Sequence, residues 1–252
     1  MREEHTIATA QRSLPEEVER FNIHYRIQHI LMLTSFLVLF FTGWALKFSE
    51  VETSQSWIRI FGGPHIAGRI HRIAGITMIL DSIYHLLYLM YRFARGKMQW
   101  DLIPTPKDFV DLYDNFRYFL GLTEEKPRFG RFTYLQKFDY WAVFWGIFII
   151  GTSGLALAFP TKAALFIPAS ATNWAWELLY IMHSDEALLA ILFILFWHFY
   201  NEHLRPEVFP MSWVWITGKI STKELREDHP LEFERLFPAP ARPSDTEGKE
   251  EQ

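Results

Sequence analysis

Histidines are concentrated in the apolar stretches of this sequence. The chain has 252 residues and ten histidines, and six of these lie within or at the ends of apolar stretches: His29, His71, His85, His183, His198 and His203. An ionisable side chain is costly where a stretch crosses a bilayer, and it is usually kept there for function. A neutral imidazole can ligate a metal, transfer a proton or form a buried hydrogen bond. The spacing of the histidines indicates which role applies.

Two pairs of histidines are spaced by about four helical turns. His71 and His85 are 14 residues apart, which is about 40° short of four turns and about 21 Å along a helix axis. His183 and His198 are 15 residues apart, which is about 60° beyond four turns and about 22 Å. Each pair therefore lies near one helix face, and two helices present histidines at two matching depths.

Facing imidazoles at one depth suit the two axial positions of a haem iron. Such ligation leaves no open position for oxygen or substrate and is typical of electron-transfer centres. The absence of cysteine excludes thiolate nucleophiles, zinc–thiolate sites, iron–sulfur clusters and c-type haem attachment. Zinc and di-iron sites need ligands clustered in one layer. The pattern therefore predicts at least two b-type haems, one in each tier.

Four apolar stretches supply the helices that carry these histidines. They cover residues 27–48, 68–93, 138–159 and 174–200. Each is close to the length of about 20 residues that an α-helix needs to cross a bilayer. Most lysines and arginines fall before the first stretch, between the second and third, and after the fourth. By the positive-inside rule, both termini are therefore cytoplasmic.

The predicted fold is all-α, an integral membrane four-helix bundle with both termini cytoplasmic and haems between the helices. A cytoplasmic N-terminal segment (1–26) precedes the transmembrane domain (27–200), which includes a cytoplasmic loop (94–137), and a cytoplasmic tail (201–252) follows. Within the loop, residues 104–120 have the pattern of an amphipathic helix that lies on the membrane or contacts a partner.

This topology sorts the histidines into two tiers. His71 and His183 lie at the outer side of the membrane, whereas His29, His85 and His198 lie towards the cytoplasm. The two levels are the depths at which haems are expected between the helices.

Small residues beside the histidines leave room for a flat porphyrin. Gly75 follows His71 by four residues, and Gly43 follows His29 by 14 residues, so each glycine shares a helix face with a histidine. Glycine also favours close packing of membrane helices, which is an alternative reason for its presence.

Several short motifs occur in a fixed order along residues 20 to 233. They are RIQH ending at His29, Thr42-Gly43, IHRIAG around His71, Gln136-Lys137 before the third span, Gly154 within it, the pair His183 and His198, and ITGKIS followed by HPLEF. In this order they resemble the cytochrome b (gamma) subunit of membrane-bound formate dehydrogenases. That family is related to the cytochrome b subunits of nickel–iron hydrogenases and thiosulfate reductases.

The resemblance implies a ligand set for each haem. His71 and His183 would ligate the outer haem, and His29 and His198 the cytoplasmic one. Two features of this chain depart from the family pattern. His183 and His198 are 15 residues apart here, whereas the corresponding spacing in the family is 14, and His85 has no counterpart in the family. A pair 14 apart on one helix is similar to cytochrome b of the bc complexes, so His85 is an alternative to His29 opposite His198.

The resemblance also implies a quinone site beside the cytoplasmic haem, near the start of the third span. The residues there are Gln136 and Thr133. A third haem held by His29 and His203 is a further alternative. If His85 is not a ligand, it could relay protons to the quinone together with Asp81, four residues earlier on the same face.

Together these features predict a membrane electron-transfer subunit. It would exchange electrons between a peripheral partner, an iron–sulfur protein or a multihaem cytochrome c, and the menaquinone or ubiquinone pool of the bacterial cytoplasmic membrane. Beyond the quinone it would have no substrate chemistry of its own. The alternatives are a stand-alone transmembrane haem reductase and a cofactor-free membrane anchor whose histidines carry protons. The net charge of -4 and the lack of a basic stripe give no indication of nucleic-acid binding.

Overall fold

The structure, a computed structural model, describes residues 14–206 and 208–238. The predicted N-terminal segment and C-terminal tail therefore lie partly outside the described residues. In the part that the structure describes, four helices are long and apolar enough to cross a membrane: Ile23–Lys47, Pro64–Ala94, Tyr134–Ala158 and Ala169–Leu204. They confirm the predicted all-α integral membrane architecture, while the orientation of the termini stays a prediction.

The helices and strands follow one another along the chain with short connections. The helices are α1 (Ile23–Lys47), α2 (Glu52–Ile60), α3 (Pro64–Ala94), α4 (Pro106–Phe119), α5 (Tyr134–Ala158), α6 (Pro160–Ala163), α7 (Thr172–Leu192), α8 (Val214–Thr217), α9 (Thr222–Asp228) and α10 (Pro230–Leu236). Two short strands, β1 (Glu17–Glu19) and β2 (Lys219–Ser221), pair antiparallel with Val18 opposite Ile220.

The described residues form two compact units. The first contains residues 14–19, 100–137 and 219–238, and the second contains residues 20–99 and 138–218. All the histidines of the two predicted tiers belong to the second unit. Within that unit, α1 packs mainly against α3.

Small and polar residues form the buried seams of three spans. They recur every seven positions, as Gln28, Ser35 and Thr42 on α1, Ala67, Ala74 and Asp81 on α3, and Asp139, Gly146 and Ser153 on α5. Seven residues are nearly two helical turns, so each set forms one stripe. Large apolar side chains such as Phe41, Leu80 and Phe148 are exposed on other faces. This arrangement suits helices that contact one another through small residues and contact lipid through large ones.

Local features determine where the spans begin and end. The Asn22 side chain accepts hydrogen bonds from the first backbone N–H groups of α1, which is a typical helix N-cap. Before α3, Gly62 and Gly63 have φ of +87° and +100°, values that favour glycine, and Pro64 then occupies the first helical turn. At the end of α1, Lys47 Nζ donates to Asp185 Oδ1 at 2.6 Å and so links α1 to the fourth span.

The fourth span changes its winding before it ends. Ala169–Ala171 forms a 3₁₀ turn, α7 follows, and then Phe193–His198 and Tyr200–Leu204 have π-helical winding. In a π-turn each backbone N–H bonds to a carbonyl five residues back, so one turn takes up an additional residue. His198 and His203 both lie in this segment.

In the first unit, the predicted amphipathic segment is the helix α4. It begins with a capping box between Thr105 and Asp108, and Asp108 also pairs with Lys137 at 2.8 Å. Partial burial alone would raise the pKa of Asp108, but the hydrogen bonds from Lys137 and Thr105 outweigh burial and hold that pKa below its ordinary value. Phe109 and Phe116 on α4 are exposed. The location of this helix on the membrane surface stays a prediction.

Candidate functional site

His71 on α3 and His183 on α7 face each other in the outer tier. Their ring centroids are 6.0 Å apart and their planes are nearly perpendicular, at 85°. Two imidazoles that ligate one metal from opposite sides, through bonds of about 2 Å, have ring centres about 6 Å apart. The spacing of this predicted pair therefore matches that of two axial ligands.

Hydrogen bonds assign the tautomer of both rings. His183 Nδ1 lies 3.0 Å from the Ile150 carbonyl oxygen, which can only accept, so this nitrogen carries the hydrogen. His71 Nδ1 lies 2.9 Å from Thr42 Oγ1. The Thr42 hydroxyl donates to the Val38 carbonyl at 2.6 Å, so it accepts from His71. Each ring therefore keeps a lone pair on Nε2, which is the form that ligates a metal.

Glycines let both rings lie directly against neighbouring helix backbones. A Cβ atom at Gly43 would lie 3.2 Å from His71 Cε1, and one at Gly154 would lie 2.7 Å from His183 Cε1. Gly43 thus belongs with the outer histidine His71, not with His29 as its helix face had indicated. Among the described residues, a Cβ at Gly75 would meet only Leu39 Cδ2, at 3.8 Å. Gly154 was quoted only as part of a motif, so its contact with a histidine is new.

In the predicted cytoplasmic tier, a cluster contains His29, His198, His203 and Trp215. The ring centroids of His198 and His203 are 6.4 Å apart, and Trp215 lies 5.3 Å from His29 and 6.3 Å from His203. His29 is close enough to His198 and His203 to interact with both electrostatically. Trp215 lies on α8 and was not among the predicted site residues.

The π-turns explain how His198 and His203 come together. Five residues separate them, a spacing that in an α-helix would place them about 140° apart around the axis. A π-turn closes over five residues, so it brings His203 back over His198. The same winding also accounts for the spacing of 15 between His183 and His198, because it takes up one residue more than an α-helix.

Three ring nitrogens in this cluster are buried without a hydrogen-bond partner among the described residues. They are Nδ1 of His29, Nδ1 of His203 and Nε1 of Trp215. A buried polar group that lacks a partner costs about 1–3 kcal/mol. This cluster fits a group that can satisfy both kinds of nitrogen. Haem would do so, because its iron binds imidazole lone pairs and its propionates accept hydrogen bonds from N–H groups.

His198 has an acidic neighbour that the sequence reasoning missed. Asp139 on α5 is 6% exposed, and its Oδ2 lies 3.2 Å from His198 Nδ1. Its other carboxylate oxygen, Oδ1, is buried without a hydrogen-bond partner among the described residues. The sequence contained a signal for it, because an acidic residue within an apolar span is usually functional.

Both ring nitrogens of His85 have hydrogen-bond partners. Nδ1 lies 3.0 Å from Gln28 Oε1, and Nε2 lies 3.0 Å from the Tyr140 hydroxyl. The amide oxygen only accepts, so Nδ1 donates and Nε2 accepts from Tyr140. His85 therefore connects α1, α3 and α5, and ligation of a metal by Nε2 would require the Tyr140 bond to break.

The two predicted quinone-site residues, Gln136 and Thr133, bond to each other, and the predicted proton-relay residue Asp81 is buried. Gln136 N–H donates to Thr133 Oγ1 and Thr133 N–H donates to Gln136 Oε1, each at 3.2 Å. This reciprocal pair is a capping box at the start of α5. Asp81 is 3% exposed, and its Oδ1 has no hydrogen-bond partner in the described part of the chain. The hydroxyl of the neighbouring Ser82 donates to the Met78 carbonyl.

Comparisons with known proteins identify the family to which the chain belongs. The family model described as prokaryotic cytochrome b561 matches residues 20–207. The chain is 21% identical over 224 residues to the cytochrome b556(Fdn) subunit of nitrate-inducible formate dehydrogenase from Escherichia coli (strain K12), covering 88% of this chain and 93% of that subunit. The subunits from Escherichia coli O157:H7 and Shigella flexneri give the same values. These similarities confirm the resemblance drawn from the motifs.

Proposed function

The chain belongs to the prokaryotic cytochrome b561 family and is a multi-pass haem-bearing electron-transfer protein of the bacterial inner membrane, and from this premise we propose its specific role. It holds two b-type haems in two tiers and exchanges electrons between a peripheral redox subunit and the quinone pool. The observation that carries the proposal is the His71–His183 pair, with ring centroids 6.0 Å apart and both Nδ1 hydrogens engaged.

His71 and His183 are the proposed ligands of the outer haem. The Thr42 hydroxyl and the Ile150 carbonyl fix the ring orientations and the tautomers. Gly154 gives His183 the space to lie against α5. When bound, a bis-imidazole haem supplies one-electron transfer with no open position for oxygen or substrate.

His29 and His198 are the proposed ligands of the cytoplasmic haem. His29 lies in the cluster with His198 and has no hydrogen bond on Nδ1 among the described residues. His85 is the weaker candidate because Gln28 and Tyr140 engage both of its nitrogens. A third haem would need His29 and His203 together, and one imidazole nitrogen of His29 cannot ligate two irons.

The partner and the quinone complete the proposal. The named relative is a subunit of a formate dehydrogenase, which supports a peripheral redox partner for this chain as well. We assign that partner to the class of iron–sulfur proteins or multihaem cytochromes c. The quinone, menaquinone or ubiquinone, would bind near Gln136 and Thr133, as the resemblance implies.

Haem analysis of single-histidine variants tests the ligand set. Protein purified from membranes should contain two haems per chain and show a reduced cytochrome b spectrum. His71→Ala, His183→Ala, His29→Ala and His198→Ala should each lose one haem, whereas His65→Ala, an exposed histidine on α3, should retain both. A colourless preparation would indicate a cofactor-free anchor. Loss of a haem in His85→Ala with retention of both in His29→Ala would reverse the proposed pairing.

A second experiment tests the quinone site separately. Gln136→Glu keeps the reciprocal cap of α5, because glutamate serves in a capping box as glutamine does, but it replaces an amide by a carboxylate. We expect both haems to remain and their reduction by a quinol to slow at least tenfold. Unchanged quinol kinetics in Gln136→Glu would remove this residue from the site.

A further inference from the structure

The two proposed haem tiers differ in the charge of the groups that contact a histidine Nδ1. In the outer tier the acceptors are neutral, since His71 donates to the Thr42 hydroxyl and His183 to the Ile150 carbonyl. In the cytoplasmic tier His198 Nδ1 meets a carboxylate oxygen of Asp139 at 3.2 Å. This contrast distinguishes the tiers by formal charge, not by ligand type.

The position of Asp139 does not serve the helix that carries it. Asp139 lies beyond the first turn of α5, which begins at Tyr134, so its carboxylate does not cap the free N–H groups there. It opens the buried seam that continues with Gly146 and Ser153. A buried acid with one unpartnered oxygen lowers stability unless it interacts with another group. The interaction that the structure provides is the one with His198.

We propose that Asp139 is a positioning residue for His198. It holds the ring with Nδ1–H towards the carboxylate and Nε2 towards the iron, and it lowers the reduction potential of the cytoplasmic haem relative to the same haem without the carboxylate. This inference rests on the proposed function, in which His198 is an axial ligand.

The physical reason is electrostatic. A carboxylate that accepts a hydrogen bond from a ligating imidazole fixes its tautomer and orientation and makes the imidazole a stronger electron donor to the metal. A stronger donor with a negative charge behind it favours the ferric state over the ferrous state, because reduction adds another electron to the same site. Hydrogen bonding around an axial ligand is one of the ways in which a protein sets a haem potential. The neutral acceptors of the outer tier have a smaller effect of this kind.

Redox titration of Asp139 variants tests the proposal. Asp139→Asn keeps the shape and an acceptor oxygen but removes the charge. At the wild-type midpoint, we expect the ratio of reduced to oxidised cytoplasmic haem to rise at least tenfold, which is about 59 mV for a one-electron couple. The outer haem should change less than twofold. Asp81→Asn is the matched control, because Asp81 is also a buried acid in a span but forms no hydrogen bond to a histidine among the described contacts.

Electron paramagnetic resonance and haem content distinguish the proposed role of Asp139 from a purely structural one. The low-spin ferric electron paramagnetic resonance signal of the cytoplasmic haem should shift in Asp139→Asn and return in Asp139→Glu, which restores a carboxylate. An unchanged potential in Asp139→Asn with both haems present would overturn the inference, as would an equal shift in the outer haem. If Asp139→Asn loses the cytoplasmic haem, Asp139→Glu must restore both the haem and the wild-type potential, and failure to do so also refutes the inference. Retention of both haems in His198→Ala would instead refute the proposed function.

Discussion

Replacement of Gly154 by alanine should remove the outer haem. The added Cβ atom would lie 2.7 Å from His183 Cε1, whereas carbon atoms in contact prefer separations of about 3.5–4.0 Å. The ring must therefore move by about 0.8 Å. It cannot do so freely, because Nδ1 is bonded to the Ile150 carbonyl on the same helix and Nε2 would be bonded to iron.

Two opposing free-energy terms determine whether Gly154→Ala strengthens or weakens haem binding. Alanine in place of glycine favours a helix by about 1 kcal/mol, whereas overpacking of a filled site costs about 1–3 kcal/mol. The strain would act on His183, the proposed haem ligand. It should therefore appear mainly as weaker haem binding and only slightly as lower stability of α5. At Gly43 the same substitution leaves 3.2 Å to His71 Cε1, so the ring there needs a smaller shift and the effect should be milder.

The assay is the haem-to-protein ratio of the purified variants, together with their thermal unfolding. Gly146→Ala is the matched control on α5, since no atom of the described residues lies within 4 Å of its added Cβ. We expect about two haems per chain in Gly146→Ala, one in Gly154→Ala and an intermediate value in Gly43→Ala. Two firmly bound haems in Gly154→Ala would refute the reasoning from ring contact.

Three further outcomes are expected. Thr42→Val should weaken outer haem retention by about 1–3 kcal/mol, because the Nδ1–H of His71 loses its buried acceptor. Thr42→Ser keeps the hydroxyl and should therefore retain the outer haem as the unmodified chain does. For both variants, haem retention is measured by the transfer of haem to a haem-binding acceptor protein. Tyr140→Phe should keep both haems but lower the unfolding temperature, since His85 loses one of its two bonds. The pKa of Asp108 lies below its ordinary value of 3.8, so its contribution to stability should be present above about pH 4 and lost as pH falls through the lowered pKa. Asp108→Asn should abolish that dependence in acid unfolding curves.

Apolar length was sufficient to predict the four spans but not their ends. The second stretch was placed at 68–93, whereas α3 covers Pro64–Ala94. The fourth was placed at 174–200, whereas the helix covers Ala169–Leu204. The additional residues include Pro64, several polar residues and turns of irregular winding, which hydropathy does not register.

The sequence alone indicated that the histidines have a function, because an ionisable side chain is costly in an apolar span. Gly43 was assigned to His29 from helix face alone, but 14 residues correspond to about 21 Å along the axis. A glycine that far from His29 lies at the depth of the other tier, where it contacts His71. The angle of a residue around the helix axis therefore does not identify its neighbours unless its position along the axis is also considered.

Partners that lie on other helices were not predictable from one sequence. The contact between Asp139 and His198 joins residues 59 positions apart, and that between His29 and Trp215 joins α1 to α8. Periodicity within a helix carries no information about which neighbouring helix it will face. The seven-residue recurrence of small and polar residues could have been found, because it is visible in the sequence as Gln28, Ser35 and Thr42.

The wide turn from Phe193 to His198 makes the fourth span tolerant of a change in length. Because this turn takes up one additional residue, deletion of one residue between Phe193 and Trp197 would convert it to ordinary α-helix and leave His198 facing the same way. The turn could not take up a further inserted residue in the same way, so an insertion would rotate the His198 imidazole by about 100° around the helix axis. A chain that is one residue shorter at this turn would therefore keep the orientation of His198.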